Sequence, residues 1–393
     1  MSSKKFYSDS RMNETFFAAL PGATEKGSVF SCNEVTPDTR VFPQIYFELR
    51  NKVAELQLGA FGLAPVGDAH SYPIFLSRVR KGYCANLPYL TDDPDKRRSP
   101  RSVLPDAQTL IIVALTERQL QNESREATEA LINSPELSVN TDDPRYGTTL
   151  NYATCLDYHN VLRKKLKSLE AFFKAFFPNA STRVAVDTAP LLEKDWAQAA
   201  GLGFIGLNSL LIAPGLGSRI FLGELLVSES FDKLTGFSTS EEYLKFRTVQ
   251  NVQDNTPSFN TEKARKACLT CQRCLKACPT NAIVGDRTLD ARRCLNFWTI
   301  ENRNEIPPDI AEKLDGRLFG CDLCQRLCPW NASLEQTSPH EIPLDAVERL
   351  DDATFRRLFK KTPIFRATLD GLKRVSRALK QDAPPNKKSP TTD

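Results

Sequence analysis

Eight of the eleven cysteines in this chain fall between Cys268 and Cys328, and no other feature limits its fold as much. A disulfide framework of that density belongs to small exported domains, whereas this chain has 393 residues. The opening residues mix Lys4, Lys5, Glu14, Glu25 and Asp38 and hold no apolar stretch of the kind that begins a signal peptide. The crowding therefore reads as a metal or cluster module in a cytoplasmic protein. Cys32, Cys84 and Cys155 lie outside it and read as packed or idle thiols.

The spacing narrows the chemistry. The first group is Cys268-x2-Cys271-x2-Cys274-x3-Cys278-Pro279; the second is Cys294 followed, after a gap, by Cys321-x2-Cys324-x3-Cys328-Pro329. Three thiols at such spacing share one tight loop and reach three iron corners of a cube. The fourth, followed by proline, points away and serves a second cube. That crossover groups Cys268, Cys271, Cys274 and Cys328 around one [4Fe–4S] cluster, and Cys278, Cys294, Cys321 and Cys324 around another. The alternative is two zinc ions with four cysteines each, for which paired C-x2-C knuckles are the commoner pattern. Two neighbouring clusters make a path for single electrons, and the cysteine segment does not say what the path feeds.

The rest of the chain has globular composition, 41% hydrophobic and 25% charged, which excludes a wholly disordered protein. Its length suits about two domains. No apolar run approaches the roughly 18 residues of a membrane span. The net charge of +4 permits an anionic partner without requiring one.

Apolar residues recur at helical spacing over 42–58 and again over 158–177, where Leu162, Leu166, Leu169 and Phe172 or Phe173 form a stripe against a lysine-rich face. Residues 110–115 form a continuous apolar run that suits a strand buried on both faces. Residues 183–186, 209–213 and 219–228 also have strand character, the last two joined by a turn. A helix is expected to open at Asp187-Thr-Ala-Pro and to stop at Gly201. Residues 117–149 read as loop with a short helix. This alternation gives an α/β domain over 41–230, after an irregular extension over 1–40. A linker or insertion follows over 231–262, then a ferredoxin-like α+β module over 263–340 and a basic helical segment over 341–382. A disordered tail over 383–393 completes the expectation.

The cysteine groups sit in a wider pattern. Cys268-Leu-Thr-Cys-Gln-Arg-Cys-Leu-Lys-Ala-Cys-Pro-Thr-Asn-Ala-Ile, Leu289-Asp-Ala-Arg-Arg-Cys-Leu-Asn-Phe-Trp-Thr-Ile-Glu and Arg317-Leu-Phe-Gly-Cys-Asp-Leu-Cys-Gln-Arg-Leu-Cys-Pro-Trp-Asn follow one another. Upstream stand Arg97 through Leu104-Pro105, Asp157-Tyr-His and Val186-Asp-Thr-Ala-Pro-Leu-Leu-Glu-Lys-Asp-Trp-Ala-Gln-Ala-Ala-Gly-Leu-Gly-Phe-Ile-Gly; downstream stands Thr362-Pro-Ile-Phe-Arg. In this order, over about residues 45 to 380, the set resembles the epoxyqueuosine reductase family. The resemblance implies a cobalamin held between the α/β domain and the ferredoxin-like module. It implies two [4Fe–4S] clusters that feed the cobalamin, and reduction of an epoxide to an alkene at the tRNA wobble position.

By position, the resemblance makes Asp187 the acid that protonates the departing oxygen. Its apolar neighbours Val184, Val186, Pro190, Leu191 and Leu192 are expected to raise its pKa; a helix N-cap is the plainer role. Cobalamin contacts carried over are Arg97, Asn296, Cys321 and Asp322, with Leu211 and Leu222 as apolar or backbone neighbours. Tyr158 and His159 are carried over as pocket residues, with a helix start as the alternative. Implied partners are tRNA and an external one-electron donor such as a ferredoxin or flavodoxin, with no membrane and a monomeric chain. The basic stretch with Arg356, Arg357, Lys360, Lys361, Arg366, Lys373, Arg374 and Arg377 fits contact with a phosphate backbone.

The chain departs from the family pattern at Leu207, Asn151 and Cys155, where lysine, arginine and glycine are usual. The losses of charge put the substrate in question. A related reductase for a small molecule, similar to a reductive dehalogenase, and a non-catalytic electron carrier are the alternatives.

Overall fold

The computed structural model describes residues 43–141, 145–253, 261–332, 334 and 339–382. The expected extension over 1–40 and the expected tail over 383–393 lie outside the described residues.

The centre of the molecule is a four-stranded sheet in the order β1 (Ala60–Pro65), β2 (Thr109–Thr116), β7 (Ile220–Val227), β4 (Thr182–Ala185), antiparallel at every pairing. The apolar run at 110–115 is β2, buried on both faces. Ile111, Val113 and Leu115 pack into one core while Leu110, Ile112 and Ala114 pack into the other, as period-two geometry requires of a central strand. One core is closed by α1 (Gln44–Glu55) and α3 (Tyr158–Phe176); α3 presents Leu162, Leu166, Leu169 and Phe173 as the expected stripe. The opposite core is closed by α4 (Glu193–Ala199) through Trp196 and Ala197.

Three local expectations are corrected. Residues 117–132 form a full helix, α2 (Glu117–Ile132), opened by a capping box between Thr116 and Gln119. The helix expected at Asp187 starts at Glu193 instead; Pro190 disfavours helical geometry in Ala189, and Asp187 itself takes φ +53°. The strand expected over 209–213 shrinks to β6 (Leu211–Ile212), which pairs with β5 (Phe204–Ile205) and not with β7.

Residues after 230 pack on the sheet. In α5 (Ser240–Gln253), Tyr243 is fully buried, and its hydroxyl accepts a hydrogen bond from the Leu63 N–H at 3.0 Å. A second core joins distant segments. β3 (Tyr146–Thr149) lies between β10 (Arg317–Phe319) and β11 (His340–Pro343), and α9 (Thr368–Asp382) packs beside them.

The cysteines lie on and between short elements: Cys268 and Cys271 in α6 (Thr261–Cys271), Cys274 in α7 (Arg273–Ala277) and Cys324 in α8 (Leu323–Arg326), with Cys278, Cys294, Cys321 and Cys328 in the connections and the hairpin of β8 (Ile283–Gly285) and β9 (Thr288–Leu289) between Cys278 and Cys294. Two contacts fasten this region to the start of β7. Asn331 accepts from the Ser218 N–H at 2.7 Å and donates to the Ser218 hydroxyl at 3.0 Å, and Arg219 pairs with Asp322 at 2.9 Å. Gly217 makes the first possible: a Cβ there would lie 2.0 Å from the Asn331 oxygen, and φ is +66°.

Candidate functional site

Cys268, Cys271, Cys274 and Cys328 line one cavity of about 330 Å³, with Leu207, Asn208 and Trp330. Cys278, Cys294, Cys321 and Cys324 face one another in a second group, close enough that each of the last three is raised partly by its neighbours' charge. Burial is the larger cause throughout, pushing Cys294 up to about 11 and Cys328 up to about 12. Thiols so placed ionise only beside a cation, and iron supplies one. Among the described residues no three His, Cys, Asp or Glu side chains converge as ligands of a single ion do. Four thiolates around one zinc would stand about 3.8 Å apart, from a Zn–S bond of about 2.3 Å. Sulfurs ringed around a cavity suit a cube. Backbone N–H groups already point at two of them, Leu207 N to Cys268 Sγ at 3.4 Å and Ala282 N to Cys278 Sγ at 3.2 Å.

The second centre is built on the sheet. Asp157 caps α3 by accepting from the His159 N–H, and the same carboxylate contacts His159 Nδ1 at 2.6 Å. His159 Nε2 then faces Asp187 Oδ2 at 3.0 Å and Arg366 Nη1 at 2.6 Å. Tyr158 is stacked between the His159 ring at 4.0 Å and the Phe221 ring at 4.2 Å. One helical turn thus begins α3 and aims an imidazole at Asp187, while neither Tyr158 nor His159 lines the cavity onto which Asp187 opens.

The electrostatics correct one expectation. Desolvation raises the Asp187 carboxyl, but the His159 hydrogen bond and charge, with Arg366 and Tyr158, outweigh it and hold the group below its usual range. Its side chain is 44% exposed, so the apolar neighbours expected to protect its proton do not enclose it. Asp187 is no N-cap either: its N–H donates to the side chain of Glu193. His159 moves the other way. Burial lowers it, yet the hydrogen bonds and charges of Asp157 and Asp187 win and raise it. The proton of this pair rests on the imidazole.

Asp187 opens onto a cavity of about 470 Å³ lined also by Arg97, Tyr89, Glu193, Lys194 and, from the cysteine-rich region, Arg265 and Arg287. Arg97 is nearly buried there, its guanidinium over the Phe75 ring. The other residues expected at this site lie elsewhere. Asn296 accepts from the Cys321 N–H. Cys321 and Asp322 line a separate cavity of about 210 Å³, and Asp322 is engaged by Arg219. Leu211 and Leu222 are packed in the core under α4.

Arg366 stands in the Thr362-Pro-Ile-Phe-Arg match and in the basic stretch, and Glu193 and Lys194 stand in the match that starts at Val186, yet the sequence assigns none of them, nor Glu224, a role at this site. Arg374, expected at a phosphate, is buried and donates to the Asn302 carbonyl at 2.7 Å. The departures also find their places. Leu207 is buried against the first cysteine cavity, Asn151 lines the cavity with Cys321, and Cys155 is buried in the first core. None of the three lines the cavity at Asp187.

The family model "Epoxyqueuosine reductase QueG, DUF1730" matches residues 97–188, and the model "4Fe-4S double cluster binding domain" matches residues 267–331, which include all eight clustered cysteines. An epoxyqueuosine reductase of Gloeobacter violaceus is 35% identical over 311 residues, covering 76% of this chain and 83% of that protein. One of Synechocystis sp. is 35% identical over 279 residues, covering 70% and 81%. Among solved structures, the epoxyqueuosine reductase of Streptococcus thermophilus superposes with a TM-score of 0.68 at 24% identity, over 86% of this chain and 82% of that one. A crystal structure of an epoxyqueuosine reductase with an epoxyqueuosine-modified tRNA-Tyr stem loop gives 0.68 at 23% identity, over 86% and 81%. The cysteine-rich region is a double [4Fe–4S] cluster domain, and the chain belongs to the epoxyqueuosine reductase family.

Proposed function

We propose that this protein reduces the epoxide of epoxyqueuosine in tRNA to the alkene of queuosine, in the cytoplasm. The observation that carries the reading is the contact of His159 and Arg366 with Asp187, which lines a cavity that Arg265 and Arg287 of the cysteine-rich region also line. Cys268, Cys271, Cys274 and Cys328 would hold one cluster, and Cys278, Cys294, Cys321 and Cys324 the other. Cobalamin fits the donor set of the Asp187 cavity. Arg97, Lys194, Arg265 and Arg287 offer N–H groups to carboxamide and phosphate oxygens, and Arg78, also in the lining, keeps a buried Nε without a hydrogen-bond partner among the described residues. When bound, these groups supply the two electrons the reduction needs.

The chain's own residues manage the proton. At rest the proton sits on His159; it crosses from His159 Nε2 to Asp187, 3.0 Å away, and Asp187 passes it to the oxygen that leaves as the epoxide opens. Once Nε2 has given up its proton, its lone pair accepts an N–H of Arg366, 2.6 Å away, while Nδ1–H stays on Asp157. The ring is thus held in one orientation in both protonation states. The exposed Arg356, Arg357, Lys360, Lys361 and Arg377 are available for RNA phosphates. An acidic one-electron carrier such as a ferredoxin or flavodoxin would load the clusters of a monomer.

The test is anaerobic turnover. Cluster-loaded protein with cobalamin and a strong one-electron reductant is offered tRNA bearing epoxyqueuosine, and the digested nucleosides are weighed by mass spectrometry. Queuosine, formed with a rate that falls as salt rises, supports the reading. Absence of queuosine from fully loaded protein that dehalogenates a small organic halide would overturn it.

A further inference from the structure

Directly behind Asp187 lies a second acidic centre that the proton path above does not use. Glu224 stands in the middle of β7, opposite Ile112 on one side and Ala185 on the other. It is fully buried, and neither carboxyl oxygen has a hydrogen-bond partner among the described residues. Leu222 and Leu226, two residues either side, pack in the core under α4, so Glu224 faces α4 as well. The first residue of α4 is Glu193, whose carboxyl accepts the backbone N–H of Asp187.

Two carboxyls in this position cannot both be ionised. A lone buried carboxylate without a donor is too costly to maintain, and a second one beside it raises the cost. The groups facing the pair do not relieve it. Ile112 and Ala185 are apolar. Asp187 is itself negative. Lys194 directs its ammonium to the Ser209 carbonyl at 2.7 Å, and burial lowers it to about 8. His159 faces Asp157 and Asp187, Arg97 lies across the cavity, and the Tyr158 hydroxyl is neutral. Burial, then the charge of Asp187, raises Glu193 to about 8. Burial, then Glu193 and Asp187, raises Glu224 far more.

We propose that Glu193 and Glu224 are a buried proton store for the reaction, with Glu193 reprotonating Asp187 and Glu224, neutral behind it, donating its O–H to the carboxylate that Glu193 leaves. The proposal rests on the epoxide reduction proposed above, and its stoichiometry calls for such a store. Converting an epoxide to an alkene and water consumes two electrons and two protons. The electrons come from the external one-electron donor. His159 supplies one proton through Asp187. For the second, the O–H bond of Glu193 breaks and one forms on Asp187, leaving Glu193 as the carboxylate. Asp187 passes this proton to the departing oxygen, completing water, and solvent in the cavity reloads Glu193. Both act through Asp187 and are positioning residues.

The test pairs a spectroscopic titration with a rate profile. Infrared difference spectra of the cluster-loaded protein should show a protonated carboxyl at pH 7 that titrates near pH 8. Glu193→Gln should remove the band that titrates there, and Glu224→Leu, which takes away the O–H donor, should move it to higher pH. In turnover, Glu193→Gln should slow steady-state reduction by about 10²-fold, the low end for loss of an acid–base group, with substrate affinity unchanged. Glu224→Leu should shift the alkaline fall of the rate to higher pH. A titrating band in a protein that reduces no epoxyqueuosine would sink the substrate and leave the store standing. No protonated carboxyl in the parent protein, or rate profiles unchanged in both variants, would overturn the store.

Discussion

The acid centre and the cluster region meet at one cavity but are held by different forces. Asp187 follows β4 of a sheet whose central strand is buried on both faces, and its partners come from α3 and from Arg366 near the end of the described chain. Four of the eight cysteines sit on helices of four to eleven residues, and the other four on the connections between short elements. Their own apolar clusters are small: Phe204, Ile212, Ala264 and Cys328 in one, Leu87, Ala291 and Phe297 in the other. One region folds by burying side chains. The other is completed by what its thiols bind, and is fastened to the sheet at Ser218 and Arg219.

The difference can be broken open in order of effect. Cys328→Ser should abolish reduction and drop iron from about eight to about four per chain, with the sheet intact by far-ultraviolet circular dichroism. Loss of all the iron would refute the crossover grouping. Arg366→Met should leave iron unchanged and slow reduction by about 10²-fold, the low end for disturbing an acid–base group, because His159 loses the donor that orients its ring. Asp157→Asn should act through His159. With its pKa raised in the folded protein, His159 keeps its proton below that pKa and loses it as pH rises through it. Removing Asp157 lowers the pKa, so the alkaline fall of the rate should begin at lower pH. Tyr243→Phe should leave iron and the pH profile alone. It strands the buried Leu63 N–H and should cost about 1–3 kcal/mol in chemical denaturation.

The same difference explains what was legible in the sequence. The cysteine spacing is local, and the Cys328 that it groups with Cys268, Cys271 and Cys274 lines one cavity with them. The strand at 110–115 and the stripe of α3 are also local patterns. The acid centre is not local. Arg366 reaches His159 across 207 positions, and Glu224 reads as one polar residue in an apolar strand. Composition likewise hid Tyr243, whose burial is decided by the sheet above it. Asp187 was found by resemblance, but its ionisation state follows from His159 and Arg366, which no neighbouring residue reveals.

The most direct test is a single turnover by Asp187→Asn, loaded with clusters and cobalamin, beside the parent protein. Asparagine keeps the shape and cannot carry the proton. The account predicts unchanged iron, unchanged tRNA binding and almost no queuosine in the variant. Queuosine formed at the parental rate would contradict it, because the electrons and the proton would then not meet at Asp187.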